Sequence, residues 1–271
     1  MSILAVEAPS THETISVCRS SFCSVNYQTL ISSALAILIT VAIGLLIARR
    51  LRRGTPGKLQ MVLELFLDYV KGLVGDTVGD EEAARFIIPI AATIGFYILV
   101  ANWLDFFPLE KPIEPATSDI NQTAAMAIFV ILVVQGYSIR VLGLRGYLRR
   151  FTKPFEMNVV VRALFVPLNI IEEVVKPVTL SLRLFGNIFA GVVMVFLLGQ
   201  LFGAGSALLS HVAFGAFGVV LLVAWKFFDV FFVGTIQAFI FMLLTVIYFG
   251  MAREGLEEEE HHRAAPEPAR A

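Results

Sequence analysis

Long apolar runs separated by short polar segments dominate the chain. A hydrocarbon core of roughly 30 Å needs about 20 apolar residues in a helix. The first run of that length extends from about Tyr27 to Ala48 and stops at Arg49, Arg50, Arg52 and Arg53. Gly54, Pro56 and Gly57 then break the helix. A second run extends from about Phe86 to Phe107, with Trp103, Phe106 and Phe107 as an interfacial aromatic belt at its end. A third, from about Asn121 to Ile139, leads into the basic segment RVLGLRGYLRRFTK. Between the first two, Lys58 to Asp76 has a different rhythm. Val62, Leu65, Phe66, Tyr69 and Leu73 recur at helical spacing, while Glu64, Asp68 and Lys71 line the other side. That pattern predicts an amphipathic helix too polar to span and suited to a membrane surface.

The last part of the chain is apolar with few breaks, from about Val159 to Phe202 and again from about Ser206 to Ala252. Each stretch would be roughly 65 Å long as a single helix, about twice what a perpendicular span needs. Two architectures are open: a pair of short helices in each stretch, or one long helix lying steeply oblique in the membrane. Gly203, Ala204 and Gly205 mark the turn between the stretches. The expected fold is an all-α integral membrane protein with five membrane-inserted helices and one amphipathic surface helix. Residues 1–26 form an extracytoplasmic segment, 27–252 a single membrane domain and 253–271 a cytoplasmic tail.

Composition supports this class. Charged residues are 16% of the chain and apolar residues 57%, against roughly 25% charged in a soluble globule. The net charge of −1 matters less than where the charges sit. Basic clusters follow the first and third runs and predict cytoplasmic flanks; the Pro-rich PLEKPIEPATSD suits the outer face. Charges placed this way are orientation signals and argue against a nucleic-acid partner. The opening MSILAVEAPSTHET has no basic start and too short an apolar stretch for a secretory signal, so the first long run is expected to act as its own insertion signal. Cys18 and Cys23 lie before that run and fit either a disulfide or two unpaired thiols. No His or further Cys is spaced to complete a metal site, and no cofactor is expected. His12, His211, His261 and His262 make no nucleophile–base cluster, and no GxxxxGK[ST] loop is present, so the chain is not expected to be an enzyme by itself.

The candidate chemistry lies in the last two stretches, which carry Glu172, Glu173, Lys176, Arg183, Lys226 and Asp229 together with Asn187 and Gln237. Ionisable groups at such positions cost about 2.5–3.5 kcal/mol each on insertion scales and are functional candidates for that reason. At about 100° per residue, Glu172, Lys176, Thr179 and Asn187 all fall within roughly 40° of Arg183. Pro177 interrupts the hydrogen-bond ladder between them. Lys226 and Gln237 share a face of the last stretch. Gly186, Ala190 and Gly191 beside the stripe allow another helix to approach closely. One reading of Arg183 is a structural ion pair with a glutamate. Against it, Glu172 and Glu173 are ten or eleven residues away, roughly 15 Å along an unbroken helix. Arginine does not shed its proton, so the other reading gives it an anionic partner from elsewhere, such as another subunit.

The string KPVTLSLRLFGNIFAG, Lys176 to Gly191, resembles the signature of subunit a of F-type ATP synthases. TIQAFIFMLLTVIYFGMA, Thr235 to Ala252, resembles that family's last helix, PATSDINQTAAMAI its third span entrance and PGKLQMVLELFLDYV its surface helix. The resemblance covers most of the chain beyond about residue 50. It implies a long, steeply inclined helical hairpin, 159–252, wrapped against a ring of c subunits, with peripheral-stalk subunit b and the rest of the complex as further partners. It maps the family's essential arginine onto Arg183, its neighbouring amide onto Asn187, the opposing glutamine onto Gln237 and the periplasmic-loop aspartate onto Asp119. The implied role is to provide two proton half-channels to the ring and the arginine between them.

Two positions depart from the pattern. Many bacterial members carry a glutamate nine residues after the arginine, where this chain has Val192. Many carry an ionisable residue seven before the glutamine, where this chain has Val230, with Asp229 one place earlier. One residue is about 100° of helix, so Asp229 faces elsewhere unless a bulge corrects it. The outer path is therefore expected to draw on Asp119, Glu172, Glu173, Asp229 and His211 in a variant arrangement. For His211 a plain interfacial histidine is the alternative. For Lys226 it is snorkelling, or pairing with Asp229. The rival classes are a transporter or channel with an anion-binding arginine, which predicts related halves and function without a partner ring, and a membrane-embedded enzyme.

Overall fold

The structure is a computed structural model that describes residues 14–16, 24–50, 57–78, 81–106, 119–152, 159–206 and 211–264. Its helices are α1 (Tyr27–Arg50), α2 (Lys58–Val78), α3 (Glu81–Leu104), α4 (Ile120–Thr152), α5 (Val159–Ser206), α6 (His211–Phe227) and α7 (Gly234–Ala264). A π-helical turn, Phe228–Val233, joins α6 to α7. Ahead of α1, the three-residue strands β1 (Thr14–Ser16) and β2 (Ser24–Asn26) pair antiparallel with Ile15 opposite Val25. Among the described residues the fold is otherwise helical. Cys18, Cys23 and His12 lie outside the described residues, as do His261 and His262 in all but their helical backbone.

Among the described residues, five segments are long and apolar enough to cross a membrane: Gln28–Arg49, Glu81–Leu104, Ile120–Leu148, Val166–Phe202 and Ala216–Arg253. The amphipathic α2 is not among them, as its pattern predicts. Its expected apolar face, Val62, Leu65, Phe66, Tyr69 and Leu73, is exposed or half-buried, and a different stripe packs. Val70, Val74 and Val78 are buried, whereas Val62, Leu65 and Tyr69 are exposed. The fourth-residue spacing of the valines supplies the packed stripe, which leaves the other apolar residues for lipid or another chain.

The long stretch at Val159 is one helix of 48 residues that runs unbroken through Pro167 and Pro177. The expected turn at Gly203–Gly205 falls inside its last turn, and the junction with α6 lies in residues 207–210, outside the described part. From His211 the second long stretch is also continuous helix, wound more widely over the π turn. α4 carries the one described break: Gly143 has φ 70° and ψ 163°, a left-handed backbone conformation that only glycine adopts without strain. The basic segment after the third span thus divides into the end of the span and a separate short helix.

The contacts divide into two compact units, and α3, α4, α5 and α7 contribute residues to both. The first comprises Met1–Pro56, Ile94–Thr123 and Leu182–Ile240. Within it α3 is bonded to α7: Asn102 Nδ2 donates to the Gly234 carbonyl at 3.0 Å and Trp103 Nε1 to Thr235 Oγ1 at 3.2 Å. Trp103 and Phe106 pack on Phe231, with ring centroids 5.3 and 5.0 Å apart. The second comprises Gly57–Thr93, Ala124–Ser181 and Phe241–Ala271. Its interior holds Val70, Val74, Ile87, Ala127, Phe241, Val246 and Phe249, all fully buried. Phe86 stacks on Tyr137 at 5.4 Å and Phe249 meets Tyr137 edge-on at the same distance.

Candidate functional site

Arg183 lies on α5 with its side chain exposed, while its neighbours Leu184 and Ile188 are buried. The packed side of this part of the helix is therefore aliphatic, and the guanidinium stands on the other side. Arg183 makes no ion pair among the described residues. Beside it Gly186 faces open space, since a Cβ there would meet nothing within 4 Å, and Ala190 is exposed one turn on. Small residues on an open helix face are what a closely approaching partner helix requires. Asn187 is half-buried on the same element. Gln237, on α7, is buried, and its Nε2 has no hydrogen-bond acceptor among the described residues.

The other members of the stripe are accounted for within the second unit. Lys176 Nζ lies 3.0 Å from Glu173 and 3.5 Å from Glu172, and Gln135 Nε2 donates to the second Glu173 oxygen at 2.7 Å. Glu173 is thus held from two sides, and Glu172 is the exposed member of the pair, at 65%. Thr179 donates back to the carbonyls of Val175 and Lys176, a local bond that polar residues inside helices often make. The glutamates serve Lys176, and the structural ion-pair reading of Arg183 has no counterpart.

The π turn alters the acidic group of the last stretch. It adds one residue to the winding between Asp229 and Gln237, so Asp229 takes the angular place that a regular helix gives to the seventh residue before the glutamine. Its carboxylate rests against α5 at Gly191: a Cβ built there would lie 2.1 Å from Asp229 Oδ2. Only glycine leaves room for it. Val192, the next residue on α5, is exposed.

Lys226 does not pair with Asp229. It pairs with Asp105, just past the end of α3, and both side chains are partly buried. The reason is geometric: the wide turn carries Asp229 towards Gly191, and the α3–α7 bonds at Asn102 and Trp103 bring Asp105 to the lysine. Asp105 was missing from the sequence-based candidates because an acid among Trp103, Phe106 and Phe107 reads as part of an interfacial belt.

Asp119 caps α4. Its Oδ1 accepts from the Asn121 amide at 2.9 Å, and its carbonyl accepts the Thr123 amide at 3.2 Å. Its other oxygen accepts from Thr29 Oγ1 of α1 at 3.2 Å. Around this contact Gln28, Thr29, Ser32, Ser33 and Thr123 are buried, and Gln122 Nε2 reaches the Tyr97 hydroxyl at 3.3 Å. This polar seam was missed in the sequence, although QTLISS, with polar residues at one-turn spacing at the head of an apolar helix, is its signal. His211 opens α6, and its side chain lies outside the described residues. Among the described residues no group of three or more His, Cys, Asp or Glu is placed to hold a metal.

Comparison with known proteins assigns the family. Residues 30–250 match the family model described as ATP synthase A chain. The chain belongs to the ATP synthase A chain family. It is 36% identical to the ATP synthase subunit a of Acidothermus cellulolyticus, over 92% of this chain and 84% of that one. Identity is likewise 36% to the subunit a of Mycobacterium ulcerans, over 88% and 91% of the two chains. It is 37% to that of Pseudomonas putida, over 80% of each. The matched segment takes in every described helix from α1 to the apolar part of α7, including Arg183, Asn187, Asp229 and Gln237.

Proposed function

We propose that this chain is the stator subunit a of a rotary F-type ATP synthase in a bacterial plasma membrane. In this role it presents two proton half-channels to a ring of c subunits, and Arg183 separates them. The observation that carries the proposal is the exposed Arg183 guanidinium, with no ion-pair partner among the described residues, on a helix apolar enough to span. A permanent charge in such a place costs about 2.5–3.5 kcal/mol. An anion brought by another subunit offsets that cost, and a carboxylate on a passing ring supplies one repeatedly.

The mechanism follows from the charge. A ring carboxyl must be protonated to face lipid. Near Arg183 its ionised form is favoured. A proton therefore leaves before its carrier passes the arginine and cannot cross directly from one half-channel to the other. It takes nearly a full turn of the ring instead. Each charge crossing contributes about 2.3 kcal/mol per 100 mV of membrane potential. The ATP-forming chemistry belongs to other subunits of the complex, among which peripheral-stalk subunit b holds this chain against the ring's torque.

The outer half-channel draws on Asp119 with its polar seam and on Asp229 against Gly191. Asn187 and Gln237 offer amides beside the arginine, and Glu172, Glu173 and Thr179 extend the stripe along α5. Lys226 acts through Asp105 as a support, and His211 marks the start of α6. The basic flanks put the N-terminal segment, residues 1–26, outside and the tail, residues 253–271, in the cytoplasm, around a membrane domain of residues 27–252. The exposed stripe Val62, Leu65 and Tyr69 suits α2 to the cytoplasmic membrane surface.

Dependence on the ring tests this reading against a self-sufficient channel. Liposomes holding the chain alone should conduct no protons above background, whereas liposomes holding it with the ring and stalk should conduct, and should stop when the ring carboxyls are covalently blocked. Conduction by the chain alone would favour the channel instead.

A further inference from the structure

A half-open cavity of about 610 Å³ in the second unit has no part in the proton path described above. Glu82, Phe86, Val133, Tyr137, Arg140 and Arg253 line it. Its depth in the membrane follows from where these residues fall. Glu82 is in the first turn of α3, where one apolar span begins. Arg140 lies on α4 shortly before the break at Gly143. Arg253 is the last residue of the apolar span that includes α7. Glu82 and Arg253 thus mark a level at which apolar spans end, and Arg140 reaches the same cavity from within α4.

The lining has two halves of different chemistry. Two arginines against one glutamate leave a net positive site. Arg140 is exposed and has no ion-pair partner among the described residues. The rest is aromatic and aliphatic, with Phe86 stacked on Tyr137. The apolar surface continues outside, where Phe86 and Ile139 are exposed and the short helix after Gly143 shows Leu144 and Leu148 on either side of Arg145. A soluble anion would use only the guanidinium half. A molecule with a phosphodiester head and hydrocarbon chains uses both, and basic pockets between membrane helices at this level are suited to such heads. The volume falls within the roughly 300–1,000 Å³ of small-molecule sites.

We propose that this cavity binds the headgroup of an anionic phospholipid, with the phosphate at Arg140 and Arg253 and an acyl chain along Phe86, Val133 and Tyr137. The arginines orient their guanidinium edges to the phosphate oxygens, a geometry that lysine matches only as a point charge. By the positive-inside pattern the bound lipid belongs to the cytoplasmic leaflet.

The test uses the whole purified complex, stripped of lipid with detergent and titrated with phosphatidylglycerol or phosphatidylcholine, with bound lipid counted by native mass spectrometry. Wild type should retain one more phosphatidylglycerol per complex than the Arg140→Gln variant at matched concentration. The variant's affinity at that site should be about fivefold weaker, the effect of one arginine near an anionic leaflet. Arg140→Lys should keep most of the binding. Gly136→Trp should displace the lipid while keeping both arginines in the chain, because a side chain at Gly136 enters open space. Equal phosphatidylglycerol counts in wild type, Arg140→Gln and Gly136→Trp would overturn the proposal. So would displacement of the lipid by millimolar inorganic phosphate, which would mean a small-anion site. A photoreactive label on Gly136→Cys that captures a neighbouring subunit and no lipid would also overturn it, by showing a protein interface.

Discussion

The contact between Asp229 and Gly191 allows a quantitative test with a single methyl group. In Gly191→Ala the new Cβ would lie 2.1 Å from Asp229 Oδ2, whereas ordinary contact begins at 3.4 Å. The carboxylate must therefore retreat by about 1.3 Å, the difference between those two distances. The obstacle is the end of a short side chain, so the carboxyl swings away and the helices need not separate; overpacking of this kind costs about 1–3 kcal/mol. The functional cost is larger in relative terms. A misplacement of about 1 Å in a proton-transferring group can slow its step roughly 100-fold. ATP-driven proton pumping in inverted vesicles, read by a pH-sensitive dye, should fall at least tenfold while the assembled complex still co-purifies. Gly72→Ala, where the methyl meets nothing within 4 Å, is the matched control and should pump normally. Pumping at the control rate by Gly191→Ala would refute the argument that Asp229 works from the notch at Gly191.

Other consequences are simpler to state. Arg183→Lys should assemble but lose coupled proton transport, because a lysine in that position is more strongly hydrated and can lose its proton; near-normal ATP synthesis would remove the argument from permanent charge. Lys226→Met leaves the partly buried Asp105 without its partner and should destabilise the protein by about 1–3 kcal/mol, less than a fully buried pair would cost. Adding Asp105→Asn should recover most of that loss in thermal denaturation of the complex, and a double variant no more stable than Lys226→Met would sink the assignment. Asp119→Ala removes an N-cap and should loosen the start of α4 by about 1 kcal/mol, which faster amide exchange at Asn121–Thr123 would report.

The helices and their membrane class were legible because the bilayer imposes a length and a polarity that a sequence states directly. The reading of Arg183 rests on the same argument: a charge amid LSLRLFGN stands out in the sequence, and among the described residues it makes no ion pair. Local spacing also gave the Lys176 group its coherence, but not its Gln135 partner, which comes from α4, 38 residues earlier. The residues that escaped are those whose roles depend on contacts between distant segments. Thr29 meets Asp119 across 90 residues, and Asp105 meets Lys226 across 121. No period or motif announces such pairs. The π turn is an intermediate case. The misfit of Asp229 by one residue implied a bulge if the aspartate was to serve, and the structure has that bulge at Phe228–Val233. The α2 helix shows the limit of periodicity from the other side: the wheel picks out Val62, Leu65 and Tyr69, whereas the stripe that is buried is Val70, Val74 and Val78.

The central claim is that Arg183 keeps two proton paths apart, and the most direct measurement is proton pumping by the whole complex in inverted membrane vesicles, wild type against Arg183→Ala, with assembly verified by co-purification. The account predicts an assembled complex that no longer builds a proton gradient from ATP. An assembled Arg183→Ala complex that pumps at the wild-type rate would contradict it.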